Sequence, residues 1–130
     1  MTADLAILVA TAVLSLLLPL TYLIGRMQTP GGMEWALGNR AQPLQLPPWA
    51  ERAQRAHTNL IENLGPFAVL VLVAQVTGAA NALTAIGATI FFCARVLHAA
   101  VYIAGIVYVR TAVFFVGVAA ELLILLQLFR

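Results

Sequence analysis

The chain has 130 residues, of which 62% are hydrophobic and only 9% charged, whereas soluble domains carry about 25% charged residues. This excludes an ordinary soluble globular protein and predicts an integral membrane one, with membrane lipid as its solvent. The formal net charge is +2 and all seven basic residues are arginines scattered along the chain, so the concentrated basic surface of a nucleic-acid binder is excluded as well.

A bilayer crossing needs about 20 apolar residues, so four spans with short connections use up the length. A single domain over residues 1–130 is expected, with spans at about 4–26, 49–77, 80–108 and 111–129. The first run, MTADLAILVATAVLSLLLPLTYLIG, lacks the basic start of a signal peptide and outlasts its apolar core of about 7–15 residues. It is read as a helix, with a kink near Pro19 tolerated because neighbouring helices re-satisfy the freed carbonyl. Residues 27–48 hold four of the six prolines and no long apolar run, which predicts a loop of a length that is usually functional or disordered. Pro48 and Trp49 suit a helix start at the membrane interface. TGAAN then makes a turn, and the last two spans, being closely connected, are antiparallel neighbours. Cys93, the single cysteine, is read as a buried packing residue.

In this layout Arg26, Arg40, Arg52, Arg55 and Arg110 fall at one membrane side, opposite Asp4, the TGAAN turn and Arg130. By the positive-inside rule both termini face away from the cytoplasm.

The second span opens with ERAQRAHTNLIENLGPF, residues 51–67. A charge at the bilayer centre costs at least about 2.5–3.5 kcal/mol on insertion scales, and such residues usually face a bundle interior or a wet cavity. On a helix, Arg52, Asn59, Glu62 and Pro66 all fall within about 60° of Arg55, while His57 points the opposite way. Arg95, His98 and Tyr102 form a second stripe of the same kind on the third span. Two such stripes are expected to face each other or a common cavity. Rises of about 1.5 Å per residue put Glu62 and Glu121 at depths from which either carboxylate pairs with Arg95. Arg52, Arg55, Asn59 and Glu62 together offer guanidinium forks, an amide and an anion, a set suited to a zwitterionic ligand. Two histidines without a companion spacing motif make no metal site.

These residues also carry a resemblance. RAQRAHTNLIENLGPF resembles the second-helix signature of the MAPEG family, the membrane-associated proteins in eicosanoid and glutathione metabolism, which includes microsomal glutathione transferases. ARVLHAAVYIAGIVYVRT, residues 94–111, looks like the family's third-helix pattern, and EWALGNRAQPL looks like the loop of bacterial members. The resemblance implies an all-α membrane protein, a four-transmembrane-helix bundle assembled as a homotrimer in a bacterial inner membrane, with reduced glutathione bound between subunits near the cytoplasmic surface. It implies a ligand-binding set of Arg26, Arg52, Arg55, His57, Asn59, Glu62, Arg95, His98 and Tyr102. Arg110 and Thr111 are the implied catalytic pair: a guanidinium beside a thiol favours the thiolate at neutral pH, and a hydroxyl donates to the sulfur or to a developing oxyanion. The second substrate is then an apolar electrophile or hydroperoxide delivered from the bilayer, and the activity a glutathione transferase or peroxidase. The alternative is a non-catalytic protein of the same fold that binds a lipid, another thiol or a partner protein. Thr58 stands where certain eicosanoid enzymes of the family have a further arginine, which argues against eicosanoid synthesis.

Overall fold

The computed structural model describes residues 1–130 and is all-helical: α1 (Ala3–Gln28), α2 (Gly32–Leu37), α3 (Pro48–Val76), α4 (Ala82–Ala104) and α5 (Val107–Gln127). Every helix except α2 is long and apolar enough to cross a membrane. Large apolar side chains such as Leu16, Val76 and Phe115 are exposed along their outer faces, the arrangement expected when the solvent is lipid rather than water.

The four long helices alternate in direction. Arg52 Nε donates to the carbonyl of Ile103 at 2.8 Å, which fixes the start of α3 beside the end of α4. At the other end, Thr84 at the start of α4 donates to Asp4 Oδ2 in the first turn of α1 at 3.0 Å. Arg26, Arg52, Arg55 and Arg110 therefore share one end of the bundle, and Asp4, Asn81 and Gln127 the other. α1 and α5 lie on opposite flanks of the α3–α4 pair.

Two local features differ from the sequence expectation. The stretch 27–48 contains α2, which turns back across the end of α1 through Gly31 at φ 71°; a Cβ on Gly32 would collide with the backbone carbonyl of Arg26. The break between the last two spans lies at Gly105–Ile106, so α5 begins at Val107 rather than near Thr111. Gly105 takes φ 82°, and the bonds Gly105 N–H to Tyr102 O and Ile106 N–H to Val101 O close a Schellman end, which relies on a residue tolerant of the left-handed region.

The largest buried cluster, Phe67, Val71, Ala88, Phe91, Ala120 and Ile124, lies below the arginine-bearing end of the bundle, with Arg95 at its edge and the Phe67 and Phe91 rings stacked at 4.0 Å. Toward the arginine end α3 buries Ala50, Ala53 and Ala56, whose small size lets α1 approach closely, as at many membrane helix interfaces. Cys93 is exposed rather than buried. It sits with Ile90, Leu97, Val113 and Val116 in an outward groove between α4 and α5, because its position on α4 faces away from the α3 contact.

The remote end is tied by a polar knot. Asn81 caps α4, accepting from Leu83 N–H at 2.7 Å and Thr84 N–H at 3.2 Å, and Thr84 Oγ accepts from Asn81 N–H at 2.9 Å, a capping box. The Asp4 side chain adds a charged acceptor to it while only 3% exposed. A bond to a charged partner contributes about 1.5–3 kcal/mol, so Asp4→Ala is expected to lower stability by about 2 kcal/mol. Reversible unfolding in mixed detergent checks this, and an unchanged midpoint would contradict it.

Candidate functional site

A cleft of about 320 Å³ opens at the arginine end between α3, α4 and α5, lined by Asn59, His98, Tyr102, Arg110, Thr111, Phe114 and Phe115. The local chain path explains the convergence. His98 and Tyr102 are four residues apart and share one face of α4. The turn at Gly105 then reverses the chain, so the first two turns of α5 bring Arg110, Thr111 and Phe114 back against that face. The Arg110 guanidinium lies over the Tyr102 ring, 4.5 Å from its centroid, and the His98 ring meets Tyr102 edge-on at 5.5 Å and 76°. The Thr111 hydroxyl donates within its own helix to Val107 O at 3.3 Å. No carboxylate lines the cleft, so its field favours an anionic guest.

Beneath the cleft lies Arg95, only 2% exposed. Its Nη1 donates to Asn59 Oδ1 at 3.1 Å and its Nη2 to the Phe114 carbonyl at 3.4 Å, and its guanidinium sits 4.9 Å from the Phe91 ring and 5.4 Å from that of Phe114. The expected ion pair with Glu62 or Glu121 is not formed: Arg55 with Glu51, at 3.6 Å, is the ion pair of the structure. Arg95 prefers these neutral acceptors because α3 turns Asn59, not Glu62, toward α4.

The stripe on α3 is thus divided. Arg52 bonds the end of α4, Asn59 joins the cleft, and Arg55 and Glu62 are exposed on the outer face. His57 faces α1, its Nδ1 3.0 Å from the Tyr22 hydroxyl. One turn beyond Tyr22, Arg26 lies between two rings, 4.9 Å from the Tyr22 centroid and 5.3 Å from that of Trp35 on α2. Arg40 covers Trp35 from 5.4 Å, and the Trp35 indole donates to the Gln42 carbonyl.

Of the residues singled out from sequence, the structure therefore brings Asn59, His98, Tyr102, Arg110 and Thr111 together at one cleft, with Arg95 supporting it. Arg26 and His57 lie together on the α1 side, while Arg55 and Glu62 remain on the bare face of α3. Phe114 and Phe115 were not anticipated as lining residues; the available signal was the four-residue interval from Arg110 to Phe114, which places both on one face of α5.

Against models of known protein families, residues 5–130 match the MAPEG family. No curated protein and no solved structure matches the chain.

Proposed function

The chain belongs to the MAPEG family and is an integral membrane protein, and from that premise we propose that it binds reduced glutathione and conjugates it through its sulfur to apolar electrophiles or uses it to reduce apolar hydroperoxides. The observation that carries this reading is the donor-rich cleft, in which Arg110, Tyr102, Thr111 and Asn59 converge without a carboxylate among them. Such a set suits an anionic peptide whose thiol must be held as thiolate.

Arg110 is the residue we assign to the sulfur. A thiol titrates near about 8.5, and a neighbouring cation lowers that value. Because a guanidinium does not lose its own proton, it supplies charge without acting as a base. The thiolate then attacks the electrophile, forming an S–C bond as the leaving group departs with its electron pair. Phe114 and Phe115 provide the apolar side of the cleft along which a lipid-soluble acceptor approaches.

Glu62 and Arg55 enter the proposal through assembly. Both are exposed on a membrane-spanning helix, where an ionised group against lipid is costly. A homotrimer that covers this face of α3 with a neighbouring copy supplies the missing environment, and places Glu62 where it meets the ligand ammonium. The α1 side, with Arg26 and His57, completes the same site from the adjacent subunit.

The test is thermal unfolding of the detergent-purified protein with increasing reduced glutathione, because a ligand that binds only the native state raises its stability by linkage. A shift that grows with the logarithm of ligand concentration and reaches about 2.7 kcal/mol equivalent at a hundredfold excess over Kd is expected, and it should be lost in Glu62→Gln. Absence of any shift in the intact assembly would refute the reading. A shift without turnover of any electrophile or hydroperoxide would instead leave the non-catalytic alternative standing.

A further inference from the structure

Glu121 on α5 has no role in the cleft as described, yet it is partly buried within a membrane-spanning helix and its Oε1 has no hydrogen-bond partner. Arg95 has a matching deficiency: Nη1 and Nη2 are engaged, but Nε is buried and unpartnered. The two belong to one locality. Arg95 packs so closely on Gly117 that a Cβ there would lie 2.0 Å from its Nη2 and 3.0 Å from its Nε, and Glu121 is one helical turn beyond Gly117 on the same face of α5. The acceptors that Arg95 does hold, an amide oxygen and a backbone carbonyl, are both neutral. Its guanidinium cannot shed its charge, and Glu121 is the one carboxylate that α5 carries.

Asn59 links this pair to the cleft. Its Oδ1 is taken by Arg95, which fixes the amide orientation and leaves Nδ2, a pure donor, as the end available to a guest. If Arg95 moved, Asn59 would be free to flip and present its oxygen instead, a change from donor to acceptor with no change of shape.

We propose that Glu121 is a positioning residue that holds Arg95 against Gly117 and, through Arg95, locks Asn59 with its amide donor toward the cleft, so that the site selects a carboxylate or carbonyl oxygen at that point. The identity of the guest as glutathione rests on the function proposed above; the coupling between Glu121 and Asn59 does not.

Two measurements on the full-length protein in detergent separate these claims. The first is the side-chain amide signal of Asn59 in protein labelled with 15N-asparagine, identified by its loss in Asn59→Ala. Glu121→Gln, which keeps shape and removes the charge, is expected to displace or broaden that signal, and Glu121→Asp to return it toward the wild-type position. The second is the Kd for reduced glutathione, expected to rise about tenfold in Glu121→Gln, in keeping with the loss of one charge-assisted hydrogen bond. In Glu121→Gln/Asn59→Ala the rise should not exceed that of Asn59→Ala alone, because the two residues act on the ligand as one unit. An Asn59 signal unmoved by Glu121→Gln overturns the inference, as does additivity of the two substitutions in Kd. A wild-type protein that does not bind glutathione, but whose Asn59 signal moves in Glu121→Gln, refutes the proposed function and leaves the coupling in place. Should Glu121→Gln not fold because Arg95 loses its counter-charge, Arg95→Gln/Glu121→Gln removes both charges together; it too should displace the Asn59 signal, and an unchanged signal would overturn the inference.

Discussion

Arg110→Ala should reduce the rate of glutathione conjugation by about 100-fold, the loss seen when one fixed donor to a developing anion is removed from an enclosed site, while glutathione binding weakens by less than about tenfold. The asymmetry follows from what Arg110 touches. Apart from the Tyr102 ring, 4.5 Å from its guanidinium, no side chain of the protein engages it, so its charge is available to the guest. Asn59, Tyr102 and Thr111 would continue to line the cleft and retain most of the binding. The check is kcat and KM measured separately with an aryl halide acceptor, together with the ultraviolet absorbance of the bound thiolate. Loss of that absorbance in Arg110→Ala, with partial recovery in Arg110→Lys, would follow from charge stabilisation. An unchanged kcat would remove Arg110 from the mechanism.

Gly25→Leu should destabilise the fold by about 3 kcal/mol, the upper end of the usual cost of overpacking a close contact. A Cβ at position 25 would lie only 2.3 Å from the Cβ of Ala50, and neither atom belongs to a flexible side chain that can swing aside. α1 would have to withdraw from α3, parting Tyr22 from His57. Gly65→Ala is the matched control: a Cβ there meets nothing within 4 Å, and alanine is favoured over glycine in a helix interior by about 1 kcal/mol. Opposite shifts of the unfolding midpoint are therefore expected from two glycine substitutions in the same bundle. Equal effects would mean that the α1–α3 contact yields to an added side chain.

The four long helices were legible because hydropathy over about 20 residues reports the one property a bilayer demands of a span. α2 was not, since six residues give too little periodicity; only the glycines at 31 and 32 beside MEWAL hinted at a turn and a restart. The break at Gly105 was hidden for a different reason. The residues on either side of it, AVYIA and IVYV, are equally apolar, so hydropathy runs on through the turn and only the left-handed tolerance of glycine marks it. The candidate site was legible as a set of residue types, but not as a geometry. Arg55, Asn59 and Glu62 occupy one angular sector of α3, and that sector straddles the border between bundle and exterior. Asn59 turns inward and takes Arg95, whereas its two charged neighbours turn out. A helical wheel gives the angles between residues and leaves the orientation of the whole helix undetermined.

The connection at Gly105–Ile106 has a consequence for how the protein can change over evolutionary time. With no residue to spare between α4 and α5, one inserted residue would turn α5 by about 100° and advance it by about 1.5 Å, carrying Arg110 out of phase with Tyr102. Residues 38–47, between α2 and α3, face no such demand, because loop closure costs grow only slowly with added length. Variation in length is therefore more easily admitted in the long loop than at the hairpin, although both lie at the arginine end of the bundle. The tight hairpin serves as a ruler that keeps the arginine in register, while the long loop is where new sequence can be accommodated.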